Sequence, residues 1–383
     1  MKIGLICPYN IARGGGVQEI VRAMQKELIH RGHDVKILTP EPRELADSHR
    51  TKDIIFVGSA ADFKSPLHTT SQFSVTADMY GIEQMLEEQQ FDILHFHEPW
   101  VPMLSRQILS RSTSVNIATF HAKLPETMMS RTVVRVVTPY TKAVLRNLDE
   151  LTAVSEAAAE YVSTMTDAPI SIIPNGIDLS QFKAISKIST PSKKTKKTLL
   201  YIGRLERRKG VNNLLEAYGH LSDRSPDVEL IIAGDGPDRE KLEATASELD
   251  LPNVKFLGYI SEEEKIKLLA TADLFCAPAL YGESFGIVLL EAMASGLVTV
   301  AGNNPGYASV MQELGSISLV DPKNSDEFAR RMHVLLYDDE LRSLWKKWAK
   351  GYVKQFSYPK IVDQYVEVYE TAHKRHATIN EMA

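Results

Sequence analysis

Short, strand-like runs rich in apolar residues recur along this chain at residues 3–7, 35–39, 54–57, 93–96, 117–120, 151–154 and 170–173, and helical spacing lies between them, as in Val17, Ile20, Val21, Met24 and Leu28. Short runs of this kind, apolar at most positions and alternating with helices, belong to strands covered on both faces. Strands joined through helices run parallel. The first half therefore predicts a mostly parallel, doubly wound Rossmann-like sheet. The alternation restarts at residues 199–202, 228–233, 254–257, 274–277, 298–301 and 317–320, with helical stretches at 214–221 and 263–269, and predicts a second sheet of the same kind. Between the halves, residues 191–197 are polar, with four lysines and no apolar period, and read as a solvated linker. The boundary falls near residues 178–197. Ile361, Tyr365, Val368, Tyr369 and Ala372 share one face of a terminal helix that packs back across it. The expected domains are 1–180 together with 357–383, and 181–356.

Composition agrees with that division. A chain of 383 residues exceeds one ordinary core. Its net charge of −5 argues against a nucleic-acid partner. The two cysteines, Cys7 and Cys276, exclude a disulfide framework and suit a reducing compartment. The apolar run at residues 3–7 is too short for a signal sequence and reads as a first strand, and no apolar run reaches the ~20 residues that span a bilayer. A cytoplasmic protein is expected, with peripheral contact at a membrane surface left open.

Doubly wound domains take ligands at the carboxyl ends of their strands, here on two surfaces facing a central cleft. Residues 282–296 leave an apolar strand through a Gly/Ser turn and become a helix with Ile287, Leu290 and Met293 at helical spacing. Its first turn, over Ser284, Phe285, Gly286 and Ile287, offers backbone N–H groups suited to phosphate. Glu283 lies in the turn and Glu291 about two turns along the helix, so one carboxylate meets a ligand at the helix mouth and the other reaches its side. Arg204 and Lys209 follow the first strand of the second half, where two cations neutralise a diphosphate. In the first half a loop with Gly14, Gly15 and Gly16 leads into a helix. Its glycines are consecutive, and no acidic residue closes the second strand at residues 35–40, so a dinucleotide site is disfavoured. His95, His97 and Glu98 follow the fourth strand and His121 the fifth; no further ligands stand at metal-binding spacing, and His121 suits a sugar hydroxyl or an acceptor. Each of these stretches alone is also what a solvated loop or helix looks like. Their common placement after strands points to a ligand.

Together these stretches resemble one family: the retaining nucleotide-sugar glycosyltransferases of family 4, with the GT-B fold. The motifs are Gly15-Gly16-Val17-Gln18, Pro174-Asn175-Gly176-Ile177-Asp178, Gly203-Arg204 with Lys209-Gly210, Gly234-Asp235-Gly236-Pro237, and the run from Glu283 to Glu291. Cys7-Pro8-Tyr9, His97-Glu98-Pro99 and Ala118-Thr119-Phe120-His121 make the chain most similar to the phosphatidylinositol mannosyltransferases within it. The resemblance implies GDP-mannose as donor, a phosphatidylinositol-type lipid as acceptor at the inner membrane surface, and no required cofactor; Mg2+ is not indicated by the sequence. It further implies that Gly16, Arg204 and Lys209 hold the diphosphate, Ile260, Glu262 and Lys265 surround the nucleobase, Glu291 binds the ribose and Glu283 the transferred sugar. Tyr9, Gln18, His121 and Lys123 line the acceptor side. Transfer with retention needs no protein nucleophile, because the leaving diphosphate assists deprotonation of the acceptor.

One departure concerns the lipid. Similar mannosyltransferases carry a basic amphipathic patch where this chain has an acidic stretch at 76–83, which gives anionic lipid no attraction. The segment 128–148, with Arg131, Arg135, Lys142 and Arg146 among Met, Val and Leu, is either a membrane face or a helix packed within its domain. The alternatives are a family 4 transferase with another nucleotide sugar and a soluble or different lipid acceptor, a sugar-nucleotide epimerase of the same architecture, and a nucleotide-sugar-binding protein without catalysis.

Overall fold

A computed structural model describes residues 1–12, 14–42, 51–64, 70–76, 79–101, 103–123, 128–183 and 196–382. Most of the expected linker, residues 191–195, lies outside them, as do Ala77 and Asp78 of the acidic stretch. The chain divides into two units, Met1–Gly176 with Tyr358–Ala383, and Ile177–Ser357.

The first unit contains, in order, β1 (Lys2–Ile6), α1 (Gly16–His30), β2 (Asp34–Glu41), β3 (Ile54–Lys64), β4 (Thr70–Thr76), α2 (Met79–Gln89), β5 (Ile93–His97), α3 (Leu104–Leu109), β6 (Val115–Phe120), α4 (Met128–Leu145), β7 (Glu150–Ala153), α5 (Glu156–Ser163) and β8 (Ile170–Ile172). Among the described residues these strands form one sheet in the order β4-β3-β2-β1-β5-β6-β7-β8. The pairs are parallel except β3 with β4, which is antiparallel. β4 has no counterpart in the sequence reading because Thr70–Thr76 is a mostly polar edge segment with no continuous apolar run. β2 runs on to Glu41, so an acidic residue does close the second strand, against the expectation; the consecutive glycines still depart from a dinucleotide fingerprint. Ile3, Leu5, Ile6, Leu94, Phe96, Ile117 and Phe120 are fully buried, and α1 covers the sheet with Ile20, Val21, Met24 and Leu28 as its spacing predicts. Strand order reverses between β1 and β5, so the ends of those two strands flank the position where such sheets bind ligands.

The second unit contains α6 (Ser180–Lys183), β9 (Lys197–Ile202), α7 (Val211–Arg224), β10 (Val228–Ala233), α8 (Arg239–Glu248), β11 (Val254–Gly258), α9 (Glu262–Thr271), β12 (Leu274–Ala277), α10 (Ile287–Ala294), β13 (Thr299–Gly302), α11 (Pro305–Val310), β14 (Leu319–Val320), α12 (Ser325–Tyr337) and α13 (Asp339–Tyr352). Its sheet has the order β11-β10-β9-β12-β13-β14, and its reversal point lies between β9 and β12. The strand expected at 317–320 is shorter, because Glu313–Ser318 winds into a 3-10 turn whose carbonyl at Ile317 accepts from the Arg331 guanidinium. The last helix, α14 (Tyr358–Met382), belongs to the first unit. It buries Ile361, Val362, Tyr365, Tyr369 and Ala372, and Arg31, which caps the C-terminus of α1, holds Asp363 at 2.6 Å.

Candidate active site

In the second unit, glycines lace together the loops that leave β9, β12 and β13. Gly210 has φ +68°, and a Cβ there would lie 2.1 Å from the Pro278 carbonyl oxygen. The Leu280 N–H donates to the Arg208 carbonyl at 2.8 Å, and Asn304 Nδ2 donates to the Ala279 carbonyl at 3.0 Å. A Cβ on Gly306 would come within 2.1 Å of the Glu283 carbonyl oxygen. These close approaches fix the turn that carries Glu283 against the turn that carries Arg208 and Lys209.

The result is a clamp. Glu283 Oε1 lies 2.7 Å from Lys209 Nζ and 2.7 Å from Arg208 Nη1, while Arg208 Nη2 reaches Glu206 Oε1 at 2.7 Å. Burial pushes the Glu283 carboxyl up, but Lys209 and Arg208 more than offset it and hold it below its usual range. Burial likewise works against the Arg208 charge, and Glu283 and Glu206 outweigh it. The sequence reading singled out Lys209 but missed Arg208 and Glu206. Adjacent cations in Arg207-Arg208-Lys209 look alike until the 3-10 turn over them sends Arg208 and Lys209 to Glu283. Arg207 instead lines an open cavity of about 410 Å³ with Asn212, Asp238 and Lys241.

A second charged cluster lies one helix away. Gly286, at φ +112°, delays α10 until Ile287, so Glu291 stands about one turn into the helix and not two as its spacing from Glu283 had implied. Lys265 Nζ bridges Glu291 Oε1 at 2.7 Å and Glu262 Oε2 at 2.7 Å. Burial raises the Glu291 carboxyl despite Lys265, whereas Lys265 keeps its charge against burial because Glu291 and Glu262 both favour it. Ile260 is half-buried, directly before Ser261, whose side chain and Glu264 form the capping box of α9. Ser284 and Ile287 are half-buried. Phe285 is not a side chain available to a ligand, since it is buried with its ring 6.0 Å from that of Phe356. Arg204 is exposed, and its carbonyl accepts from Tyr201 Oη at 2.8 Å. The second unit thus unites Lys209 with Glu283, and Lys265 with Glu262 and Glu291.

In the first unit, Tyr9 is half-buried in the loop after β1, and its carbonyl accepts from Thr39 Oγ1 at 2.8 Å. Gln18 Nε2 donates to the Asn10 carbonyl at 3.5 Å. A Cβ added at Gly16 would meet no atom within 4 Å. Lys123 pairs with Glu160 Oε2 of α5 at 3.1 Å.

The residues after β5 and β6 form a buried polar cluster. His97 Nδ1 lies 2.9 Å from His121 Nε2, with the rings stacked at 5.1 Å. His95 shares hydrogen bonds with Tyr369 Oη of α14 at 2.7 Å and Thr119 Oγ1 at 2.6 Å. Glu98 Oε1 accepts the backbone N–H groups of His121 and Ala122. Burial drives the histidines toward neutrality, to about 3 for His95 and about 4 for His121, where Asn175 opposes it, and pulls His97 far down as well. Burial also pushes Glu98 up to about 7, against the two amides and the Trp100 indole. The Tyr9 phenol is raised by burial, then by Glu98 and Cys7, which places it in the same electrostatic neighbourhood. Among the described residues no three His, Cys, Asp or Glu side chains gather as metal ligands. The role of α14 in this cluster was not legible beforehand, because Tyr369 lies 274 residues from His95.

Two family models match the chain: "Glycosyltransferase Family 4" over residues 14–181 and "Glycosyl transferases group 1" over residues 182–352. A phosphatidyl-myo-inositol mannosyltransferase of Mycolicibacterium smegmatis is 31% identical over 378 residues, covering 97% of this chain and 94% of that protein. Among solved structures, a sucrose-phosphate synthase from Thermosynechococcus elongatus aligns at 21% identity with a TM-score of 0.77, covering 97% of this chain and 98% of that one. Anabaena HepE in complex with UDP-glucose aligns at 20% identity with a TM-score of 0.75, covering 97% of this chain and all of that one (100%).

Proposed function

The chain belongs to glycosyltransferase family 4, and from that premise we propose that it moves mannose, with retention, from GDP-mannose to a phosphatidylinositol-type lipid. The observation that supports the donor side best is the clamp in which Lys209 and Arg208 both hold Glu283. Cations already gathered around one carboxylate are suited to a diphosphate and to the charge it gains on leaving. In this reading Lys209, Arg204 and the open position at Gly16 receive the diphosphate, and Glu283 takes a hydroxyl of the transferred sugar. Glu291 takes the ribose, with Ile260, Glu262 and Lys265 around the base, and the backbone of Ser284 to Ile287 faces the phosphate. Residues 181–356 form the donor side. Residues 1–180 with 357–383 form the acceptor side, with Tyr9, Gln18, His121 and Lys123 toward the acceptor. The bond from the sugar to the diphosphate breaks, the bond to the acceptor hydroxyl forms on the same face, and the hydroxyl proton passes to the leaving diphosphate. No metal enters the scheme. The full-length likeness to a phosphatidyl-myo-inositol mannosyltransferase supports the sugar and the acceptor.

Among the described residues no helix is long and apolar enough to cross a membrane, so contact with a lipid acceptor would be peripheral, at the inner surface. The exposed Arg135, Lys142 and Arg146 in and after α4 favour such contact. A second reading, a soluble or different acceptor with another nucleotide sugar, is favoured by α2, which exposes Glu83, Glu87 and Glu88 where anionic lipid would be repelled. The test is release of GDP from GDP-mannose with and without phosphatidylinositol vesicles. Release stimulated by vesicles, with mannose in the lipid, is the expected outcome; no stimulation overturns the acceptor and turns attention to the second reading.

A further inference from the structure

The motif His95-x-His97-Glu98 has no part in the scheme so far, yet it is among the most completely buried polar stretches of the first unit, with Glu98 at 1% exposure and both histidines at 0%. Glu98 also holds a backbone conformation with φ +51°, in the left-handed region that a side chain other than glycine adopts only at a cost. That conformation turns the chain sharply after β5. The Glu98 N–H then donates to the Thr119 carbonyl at 2.9 Å, and its carboxylate meets the two amides that follow β6. Those amides belong to His121 and Ala122. Two amides on one buried carboxylate oxygen fix the direction in which the chain leaves β6, and with it the root of the His121 side chain.

The imidazole is fixed separately. His97 Nδ1 and His121 Nε2 are 2.9 Å apart in rings that burial keeps neutral, so one nitrogen donates and the other accepts. Whichever way the proton lies, the bond gives His121 Nδ1 the opposite character to His121 Nε2. Among the described residues His121 Nδ1 is buried without a partner at hydrogen-bonding geometry; the Asn175 side chain beside it favours the protonated ring, and Asn175 Oδ1 is itself unsatisfied. A buried polar atom without a partner is costly to the fold, and a ligand hydroxyl is what relieves it.

We infer that His97 and Glu98 are positioning residues for His121: Glu98 locks the main chain at 121–122, and His97 locks the imidazole in one tautomer so that Nδ1 meets a hydroxyl of the sugar or of its acceptor. The inference rests on the transferase reading for the identity of that hydroxyl, and on geometry alone for the locking.

The first measurement is 15N NMR of the histidine rings in the full chain, which needs no turnover. His121 shows one neutral tautomer in the wild type and a mixture in His97→Leu; an unchanged single tautomer in His97→Leu overturns the inference, whatever the substrates prove to be. Should His97→Leu fail to fold, His97→Phe, which keeps an aromatic ring and offers no hydrogen bond, takes its part in the same comparison. The second measurement is transfer from GDP-mannose to phosphatidylinositol vesicles. Glu98→Leu and His97→Leu each lower kcat by roughly 10- to 100-fold, the scale expected for a displaced reacting group, and leave the GDP affinity unchanged. Glu98→Gln, whose amide oxygen accepts the same two N–H groups, recovers most of the loss. In a His121→Ala background neither leucine substitution lowers kcat further, because each acts through the missing ring. Full additivity in that background reveals a merely structural role and overturns the inference. A fall in GDP release without vesicles, equal to the fall in transfer, assigns the hydroxyl to the donor sugar; a fall in transfer alone assigns it to the acceptor. A wild type that transfers nothing to this lipid rejects the phosphatidylinositol acceptor and leaves the tautomer measurement to decide the positioning role.

Discussion

The clamp after β9 and β12 sits at the reversal point of its sheet, the histidine cluster after β5 and β6 lies one strand beyond the reversal point of its own, and the two use opposite physics. In the clamp, charges remain: Glu283 is held ionised by Lys209 and Arg208 although burial opposes it. In the cluster, burial wins: His95, His97 and His121 are neutral and Glu98 is raised to about 7. A clamp of that kind is ready to exchange one anion for another. A neutral, desolvated cluster instead offers directional hydrogen bonds and pays for each one left unmade. The difference teaches that one architecture, used twice, divides charge handling from hydroxyl recognition.

The sharpest way to break this comparison is Lys209→Ala. Removing a cation that meets developing charge should cost about 2.7–4 kcal/mol, or 10²–10³ in kcat, with weaker GDP binding as well. His121→Ala should lower transfer and leave GDP binding alone. Equal effects of both substitutions on GDP affinity, measured by calorimetric titration, would abolish the division of labour.

Next in size is the response to acid. The unfolded chain binds protons at its histidines near 6.5, whereas the folded cluster resists until about 3 at His95 and about 4 at His121. Between those values the unfolded state holds more protons, so the stability of the first unit falls as pH drops below about 6.5, by about 2 kcal/mol per histidine at pH 5. Glu98 has the opposite sign. Its raised value means that the folded state keeps a proton the unfolded state loses, so its contribution is complete below about 4.5 and is lost as pH rises through about 7. It offsets roughly one histidine, and acid still destabilises. Glu283, with a lowered value, loses its contribution only as pH falls below the ordinary carboxylate range, so the clamp outlasts the cluster. Scanning calorimetry from pH 8 to 5 tests this: melting of the first unit that does not change with pH would mean that the histidines take up protons freely.

A smaller effect is expected from Tyr369→Phe, which leaves His95 Nδ1 without its 2.7 Å partner. Stability should fall by ~1–3 kcal/mol in denaturant titration, the cost of one unsatisfied buried group, with GDP binding intact. Reduced GDP binding would show that α14 governs more than the cluster it supports.

The strand starts were legible because a short run rich in apolar residues is a local signal, and residues 93–96, 228–233 and 274–277 reappear in β5, β10 and β12 almost unchanged. β4 escaped because an edge strand pairs on one side and needs no apolar run. Lys209, Glu283, Lys265 and Glu291 stood out through their places after strands. Glu98 and His97 were noticed only as a motif without metal-binding spacing, and their hydrogen bonds to His121 were not foreseen, since H-x-H-E states which atoms are present and not where they aim.

What the sequence determined by itself was the period of the chain: where strands and helices alternate, where the second sheet starts, and which strand ends carry charge. Those properties depend on residues a few positions apart, so local chemistry suffices. Only the tertiary structure decided that Arg208 joins Lys209 on Glu283, that α10 begins one turn late at Gly286, and that Tyr369 of α14 reaches His95. Each is a meeting of groups, or a strained turn, set by how distant segments pack. Burial, which makes one carboxylate an anion held by cations and another a group at about 7, exists only once that packing is complete.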